Sequence, residues 1–394
     1  MRLAILSTHP IQYHAAWFRA IAKRPDVDLE VLYCHQATAK EQADAGFGVE
    51  FDWDVSLLEG YHYRFLPNVA REPRVNSFRG LDTPAIKEII DQERFDAVMV
   101  NGWHYKSAWQ TMRACWKTKT PVMLRSDSHL HTQRSLAKRA LKWPLYRWFI
   151  PKLDACLPVG KWSTDYFLHY GARPDRVFVV PHVVDTKYFS DKARKLSTQR
   201  AELRAQWGLQ NDAVVFLFVG KFIEKKRPMD FVQALASASR DNGSISGLMV
   251  GDGPLRAECE QFARDHNVPI SFAGFLNQSE IISSYVVADV LVLPSDGGET
   301  WGLVVNEAMA CGLPCIVSDH VGCGPDMVIP HETGEAFPLG EVKQLSKLLA
   351  TTAADKKHLE QMKAASNKKA QQYSIGCAVD RLLSAASAMS DGKA

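Results

Sequence analysis

The stretch that decides the fold runs from Leu291 to Ser318 and reads LVLPSDGGETWGLVVNEAMACGLPCIVS. It begins with a short apolar run of strand character, passes through a segment rich in turn residues, and becomes helical near 300–303. Gly312 suits the position just after a helix end, and Pro314 prevents the helix from continuing. A second apolar run follows, so the stretch predicts a strand–helix–strand unit of a parallel sheet.

Short apolar runs separated by helical stretches extend on both sides of this unit. They lie at 3–6, 29–33, 97–100, 122–124, 155–157 and 177–180, and again at 213–219, 247–250, 270–272, 290–293 and 315–317. Two successive sets predict an α/β protein with two doubly wound, Rossmann-like domains. We place the first domain at 1–190 and the second at 191–369, with a final helix at about 370–388.

Composition and charge exclude several classes of protein. The chain has 394 residues, of which 46% are apolar and 23% charged, and its formal net charge is +3. No basic block is long enough for a nucleic-acid tail, so no nucleic-acid partner is expected. No apolar run approaches the roughly 20 residues that span a bilayer, and the first run is too short for a signal peptide. We therefore expect a cytoplasmic protein.

The cysteines and histidines give no sign of a disulfide framework or a metal site. The eight cysteines are scattered and include no CxxC pair, which suits reduced thiols. No cluster of His, Asp or Cys has the spacing of metal ligands. We expect a protein that needs neither a metal nor a cofactor.

Two glutamates flank the predicted helix start in the deciding stretch. Glu299 precedes the helix and Glu307 lies about two turns into it, while Val304, Ala308 and Cys311 form its predicted apolar face. A helix start after a strand end is where open α/β sheets bind ligands, and its free amides favour a phosphate. The carboxylates could then accept hydrogen bonds from sugar hydroxyls on either side. On spacing alone, a dipole-stabilising Glu299 and a solvated Glu307 explain the pair equally well.

The motif around these glutamates resembles that of a known family. Glu299, seven residues and Glu307, together with Gly302-Leu303, the Glu-Ala-Met-Ala run and the Gly-Leu-Pro stop, resemble the E-x7-E motif of retaining glycosyltransferase family 4. The resemblance implies the GT-B fold, two Rossmann-like domains facing across a cleft, with the last helix crossing back to the first domain. It implies transfer of a hexose-type sugar from a nucleotide-diphosphate donor to a glycan, lipid-linked or small-molecule acceptor.

The resemblance also assigns the donor-binding residues. Gly220 and Lys221 end the strand 213–219, and Lys226 follows in a basic loop that resembles the diphosphate clamp of the family. Lys221 stands where the family has arginine, which replaces a planar fork by a point charge. A solvated basic loop is the alternative interpretation. The implied donor site comprises Gly220, Lys221, Lys226, Phe275 beside the base, Gly302, Leu303, Val304, Glu307 on the ribose and Glu299 on the transferred sugar.

In the first half, polar residues follow three strands. His104 and Asp127 each end a strand, and the resemblance implies a functional histidine near the donor sugar, so we predict catalytic roles for both. His9 and Gln12 follow the first strand and are predicted to contact an acceptor or phosphate. A structural histidine and a capped helix start are the respective alternatives.

One segment of the first half combines basic and aromatic residues. There is no acidic residue from 128 to 153, and six Lys or Arg residues at 134–152 alternate with Leu, Trp, Tyr and Phe. Such a segment could contact an anionic membrane surface, or it could pack its apolar side on the first domain. Pro144 is expected to interrupt any helix there.

Two other functions fit the same residues. A sugar-nucleotide epimerase could use the same fold, whereas a phosphorylase would need a lysine for pyridoxal phosphate, and no such site is evident. A non-catalytic sugar-nucleotide-binding subunit is the third hypothesis, and the presence of Glu299, Glu307 and Lys226 disfavours it.

Overall fold

The structure is a computed structural model, and it describes residues 1–36, 56–131, 136–241 and 244–391. The chain forms two compact units. The first unit comprises the described residues within 1–36, 56–183 and 375–391. The second unit comprises the described residues within 184–374. None of the helices described here has an apolar stretch of the length that spans a bilayer.

The first unit is built on a sheet of six described strands, all parallel, in the order β3-β2-β1-β4-β5-β6. The strands are β1 (Arg2–Ser7), β2 (Asp28–Tyr33), β3 (His62–Phe65), β4 (Ala97–Asn101), β5 (Val122–Ser126) and β6 (Ala155–Pro158). Its helices are α1 (Gln12–Ala22), α2 (Ile86–Glu93), α3 (Lys106–Thr118), α4 (Leu136–Phe149), α5 (Lys161–His169) and, at the end of the chain, α15 (Ile375–Asp391).

Alternate residues of β1 explain why both faces of this sheet are covered. Ala4 and Leu6 point into one apolar cluster, and Leu3 and Ile5 point into another on the opposite face. The second cluster also receives side chains of α1 and α15, which pack on one another. A strand buried on both sides reads as a continuous apolar run, and this is what made β1 recognisable in the sequence.

The second unit repeats the architecture with the strand order β12-β11-β10-β7-β8-β9. Its strands are β7 (Val214–Val219), β8 (Ile245–Val250), β9 (Ile270–Gly274), β10 (Val290–Leu293), β11 (Cys315–Ser318) and β12 (Gly334–Phe337). Its helices are α6 (Thr186–Leu196), α7 (Arg200–Gln206), α8 (Pro228–Asp241), α9 (Arg256–Asp265), α10 (Ile281–Val287), α11 (Leu303–Ala310), α12 (Gly324–Met327), α13 (Val342–Ala354) and α14 (Lys356–Gln371).

In each unit the strands that follow one another in sequence are added on one side of the first strand and then, from one point on, on its other side. The reversal falls between β1 and β4 in the first unit and between β7 and β10 in the second. The loops that leave these neighbouring strands diverge to opposite faces, which opens a crevice at their carboxyl ends. The predicted α/β class with doubly wound, Rossmann-like sheets is confirmed, and the reversal points locate the candidate sites.

The predicted and observed elements differ in a few places. The run 177–180 is not a strand, because only Val177 forms a bridge, to Cys156. β3 and β12 were not predicted, because they lie at sheet edges and have no continuous apolar run. The final helix was predicted at about 370–388, whereas α15 spans Ile375–Asp391.

Candidate functional site

The turn between β10 and α11 forms one wall of the site in the second unit. Gly302 immediately precedes the helix with φ of +100°, a conformation that side chains other than glycine rarely adopt. The first amides of α11, on Leu303 and Val304, lie in the turn where intrahelical acceptors are lacking. This helix start therefore offers N–H donors to an anion, at the carboxyl end of a central strand.

The buried side of α11 differs from the predicted one. Val305, Ala308 and Met309 are fully buried, whereas Val304 and Cys311 are only partly so. Of the three residues of the predicted apolar face, Ala308 alone is fully buried, so the predicted face was wrong at Val304 and Cys311. Because α11 begins at Leu303, Val304 belongs to the open first turn of the helix.

Backbone hydrogen bonds join the carboxyl ends of the neighbouring strands β7, β8 and β9. The Gly220 amide after β7 donates to Val250 O at 3.0 Å, and the Gly251 amide donates to Gly274 O at 2.8 Å. A Cβ on Gly251 would lie 2.0 Å from Gly220 O, so the close approach of the two turns requires glycine. The Asp296 amide donates to Lys225 O at 2.9 Å and ties the basic loop to the β10–α11 turn.

The centre of the site is an ion pair between Lys226 Nζ and Glu299 Oε2, which also form a hydrogen bond. Both side chains are mostly buried. Burial alone raises the pKa of Glu299, but the positive charges of Lys226 and Lys225 outweigh it, so that the pKa lies below its ordinary value. Glu299 is therefore a carboxylate that can only accept hydrogen bonds.

Lys221 lies close enough to Lys226 and Glu299 for their charges to shift its pKa. Burial lowers the pKa of Lys221 to about 8, and repulsion from Lys226 and Lys225 adds to the effect, while Glu299 opposes it. A cation that is destabilised in this way gains most when an anion binds beside it. The basic loop is thus partly buried and bonded to the β10–α11 turn, which disfavours the solvated-loop interpretation.

Glu307 is held by a residue that the sequence analysis missed. The hydroxyl of Tyr285 on α10 donates to Glu307 Oε2 at 2.5 Å, and both residues are buried. A solvated Glu307 is therefore wrong. Tyr285 belongs to no motif, and only the packing of α10 brings it to the carboxylate. Phe275 follows β9 at the same edge of the sheet and is partly buried.

In the first unit, a cavity of about 610 Å³ lies at the carboxyl ends of β1, β4 and β5. His104 and Asp127 both line it, and Asp127 acts to raise the pKa of His104. Partial desolvation of the His104 ring is the larger effect and lowers that pKa overall. The structure therefore brings the two predicted catalytic residues of this half together in one cavity.

The loop after β1 contributes different residues from those predicted. Thr8 and His14 line the cavity, but His9 and Gln12 are not among its lining residues. The His9 ring nitrogen Nδ1 lies 2.9 Å from the Thr8 hydroxyl, and Gln12 is buried at the start of α1. Burial lowers the pKa of His14 to about 3, with the charge of Arg125 as the next cause, so the His14 ring is neutral.

Arg125 is a further cavity residue that the sequence analysis did not single out. It is 3% exposed and donates to the carbonyls of Val180 and Pro181 at 3.3 and 3.0 Å. Its guanidinium also lies 4.9 Å from the centre of the Trp17 ring. Burial lowers its pKa to about 10, so it remains a cation at neutral pH. Its position at a strand end was the only signal available in the sequence.

Comparison with known proteins identifies the family. Residues 14–188 match the model described as Glycosyltransferase Family 4, and residues 199–369 match the model described as Glycosyl transferases group 1. The chain is a family 4-type glycosyltransferase with the GT-B fold. The family predicted from the E-x7-E motif is thus confirmed.

Curated relatives resemble this glycosyltransferase over part of its length. It is 28% identical over 159 residues to the N-acetyl-alpha-D-glucosaminyl L-malate synthase of Bacillus anthracis, covering 40% of this chain and 41% of that protein. It is 29% identical over 225 residues to the D-inositol 3-phosphate glycosyltransferase of Thermomonospora curvata, covering 54% and 52%. The chain thus spans about half the length of these curated relatives.

Solved structures resemble the glycosyltransferase over nearly its whole length. Anabaena Alr3699/HepE in complex with UDP and glucose has a TM-score of 0.69 at 16% identity and covers 98% of this chain and 99% of its own. A glycosyltransferase from Rickettsia africae has a TM-score of 0.75 at 15% identity, covering 98% of both chains. At such low identity the likeness establishes the fold.

The basic and aromatic segment of the glycosyltransferase falls mostly on α4, and residues 134–135 lie outside the described residues. Tyr146 and Phe149 pack into the core, as one interpretation predicted, while Leu141, Trp143 and Trp148 are 82%, 48% and 49% exposed. The prediction that Pro144 interrupts the helix was wrong, because α4 continues through it. Lys152 covers the Trp148 ring at 3.9 Å.

Gly322 gives a direct test of how the β10–α11 turn is held in this glycosyltransferase. Its amide donates to Glu299 O at 2.9 Å, and a Cβ there would lie 1.9 Å from Thr300 O. We expect Gly322→Ala to lower the free energy of unfolding by about 2 kcal/mol, because the turn must move away. Chemical denaturation measures this change. Gly324→Ala is the control, since its Cβ would meet no atom closer than 3.7 Å. Equal losses in the two variants would contradict the role of the close contact.

Proposed function

We propose that this protein transfers a hexose-type sugar from a nucleotide-diphosphate donor to a glycan, lipid-linked or small-molecule acceptor, with retention of the anomeric configuration. The single observation that carries the proposal is the Lys226–Glu299 ion pair beside the start of α11. It combines a cation for a phosphate, a carboxylate for sugar hydroxyls, and the open amides of Leu303 and Val304 in one place.

The donor diphosphate would lie against the first amides of α11, with Lys221 and Lys226 on its other side. As the bond to the sugar breaks, negative charge accumulates on the diphosphate, and these fixed charges and dipoles stabilise it. Glu299 would accept hydrogen bonds from hydroxyls of the transferred sugar, and Glu307, held by Tyr285, from the ribose. Phe275 would border the base.

His104 and Asp127 in the first unit would act on the sugar and acceptor side of the reaction. The leaving phosphate would take the proton of the acceptor hydroxyl on the same face of the sugar, which accounts for retention without a protein nucleophile. We propose that no metal takes part, since the lysines supply the positive charge. Anabaena Alr3699/HepE was solved with UDP and with UDP-glucose, which makes UDP a sensible first probe.

Thermal shift with nucleoside diphosphates and their sugars tests the proposal. A ligand that binds only the folded protein stabilises it by about 2.7 kcal/mol at a hundred times its Kd, so one nucleotide should raise Tm clearly, with or without EDTA. No shift with any nucleoside diphosphate would refute a donor site. Interconversion of sugar nucleotides without acceptor would instead establish an epimerase. Tight donor binding with no transfer to any acceptor extract would establish a binding subunit.

The lowered pKa of Lys221 predicts a specific pH dependence of UDP binding. In the free protein Lys221 loses its proton near pH 8, whereas a bound diphosphate favours the protonated form. Affinity should thus be constant below about pH 7.5 and fall up to about tenfold per pH unit above about pH 8. Calorimetry between about pH 7 and about pH 9.5 measures it. The control Lys221→Arg keeps its charge and should show a flat profile. If the unmodified protein and Lys221→Arg show parallel pH profiles of UDP affinity, Lys221 does not contact the diphosphate.

A further inference from the structure

A depression in the first unit adjoins the cavity of His104 and Asp127. Its volume is about 1180 Å³, and it is lined by the segment 69–82, by α3 and by α4. The wall between it and the smaller cavity is shared, since Phe78, Trp109 and Leu145 line both. We call this depression the arginine groove. A ligand lying in it can reach the strand-end cavity without leaving the surface of the protein.

The charges of the arginine groove are strongly unbalanced. Its cations are Arg71, Arg74, Arg79, Lys106 and Arg113, and its acidic residues are Glu72 and Asp82. Asp82 is already bound by Lys106 at 2.5 Å, and Glu72 lies 3.6 Å from Arg74. Among the residues that the structure describes, no carboxylate pairs with Arg71, Arg79 or Arg113. These three exposed guanidiniums leave the groove with an excess of positive charge.

The segment that carries most of these arginines has a defined conformation. The Asn68 side chain donates to Gly80 O at 2.9 Å and accepts from the Asp82 and Ala70 amides at 2.9 and 3.1 Å. The Arg74 amide donates to Gly80 O at 3.1 Å, and a Cβ on Gly80 would lie 2.2 Å from Arg74 O. The arginines are thus presented on a pinned loop, so less conformational entropy is lost when a ligand binds.

Aromatic rings lie between the charges. Phe78 and Trp148 are 51% and 49% exposed, and Trp109 is partly buried, with its indole N–H donating to Trp103 O at 2.9 Å. Exposed rings of this kind bury the apolar faces of a ligand, while neighbouring arginines take its carboxylates or phosphates by bidentate hydrogen bonds. A chain of sugar rings with acidic groups has both features.

We infer that the arginine groove binds an anionic oligosaccharide acceptor. Its acidic groups contact Arg71, Arg79 and Arg113, its sugar rings lie on Phe78 and Trp148, and its end to be extended enters the cavity of His104 and Asp127. The inference rests on the proposed function and narrows the acceptor to a glycan that carries carboxylates or phosphates.

Calorimetry with matched probes tests the inference. Tetragalacturonate is compared with its uncharged methyl ester, and phosphorylated maltotetraose with maltotetraose, at about 50 mM and about 300 mM salt. In at least one of the two pairs, we expect the acidic probe to bind at least about tenfold more tightly than its neutral partner. The affinity for that acidic probe should be lower at the higher salt concentration. The double variant Arg79→Ala/Arg113→Ala should lose this preference. The control Lys23→Ala/Lys117→Ala also removes two exposed cations, one of them on α3, but neither residue lines the groove.

The outcomes separate this inference from the proposed function. Failure of both acidic probes to bind more tightly than their neutral partners would overturn it, as would equal losses in the double variant and its control. Flotation with phosphatidylglycerol vesicles that depends on Arg79 and Arg113, without probe binding, would replace the glycan by a membrane surface. UDP binding in the second unit is measured on the same samples, so loss of the donor site is recognised independently.

Discussion

Replacing Glu299 with alanine is expected to reduce turnover by about 100- to 1,000-fold while the fold survives. The carboxylate is held as an anion beside Lys226, and the proposed mechanism uses it to orient the transferred sugar. Removing it deletes the acceptor for the sugar hydroxyls and leaves Lys226 without its partner. Turnover is measured as release of nucleoside diphosphate from the donor that the thermal shift screen selects.

The isosteric variant Glu299→Gln separates charge from shape at this position. Glutamine keeps the size of the side chain but cannot form the ion pair, so its turnover should fall nearly as far as that of the alanine variant. Glu332→Gln is the matched control, because Glu332 is exposed on a turn of the same unit. Unchanged turnover in both Glu299 variants, with Tm also unchanged, would remove Glu299 from the mechanism.

The sequence predicted the main architecture because buried parallel strands leave a strong local signal. β1 and β7 are continuous apolar runs, and Gly312 and Pro314 mark the end of α11 unambiguously. β3 escaped prediction because it lies at an edge of its sheet and three of its four residues are exposed, so no apolar run marks it. Periodicity thus recovers strands that are covered on both faces and loses the others.

The site was predictable where it depends on a motif and unpredictable where it depends on packing. Glu299, Glu307 and Lys226 lie in recognisable stretches, and the structure joins two of them directly. Tyr285 reaches Glu307 across a separation of 22 residues in sequence, because α10 and α11 both pack against α6. Arg125 reaches the cavity by the order of strands in the sheet. Contacts of this kind arise from tertiary structure and leave no local pattern to read.

A buried carboxylate away from the site illustrates the same limit. Asp289, just before β10, accepts from Arg204 and Arg200 at 2.8 Å each and from Lys363 at 2.9 Å. It also accepts from the Val215 amide at 2.9 Å, which ties α7 and α14 to the central strands of the second unit. Burial acts to raise the pKa of Asp289, but the charges of Lys363 and Arg200 and the hydrogen bond from the Val215 amide hold it below its ordinary value. Nothing in the spacing of these residues predicts that they meet.

Replacing Lys226 with alanine is expected to weaken binding of UDP by about 10- to 30-fold, or about 1.4–2 kcal/mol. Two effects act in the same direction. The variant loses a cation that would contact the diphosphate, and it leaves the buried Glu299 carboxylate without its closest counter-charge, so that Glu299 repels the incoming anion. Calorimetry with UDP alone measures the change and requires no knowledge of the acceptor.

A double-mutant cycle resolves the two effects at Lys226. If repulsion by Glu299 contributes, Lys226→Ala/Glu299→Ala should bind UDP more tightly than Lys226→Ala. The coupling between the two residues is the effect of Glu299→Ala on UDP binding in the Lys226→Ala background minus its effect in the unmodified protein. Lys226→Arg keeps the charge and should retain most of the affinity, whereas Lys347→Ala, an exposed lysine on α13, should change nothing. If Lys226→Ala binds UDP as tightly as Lys347→Ala does, the ion pair is structural. The donor phosphates would then have to be bound by Lys221 and the start of α11 alone.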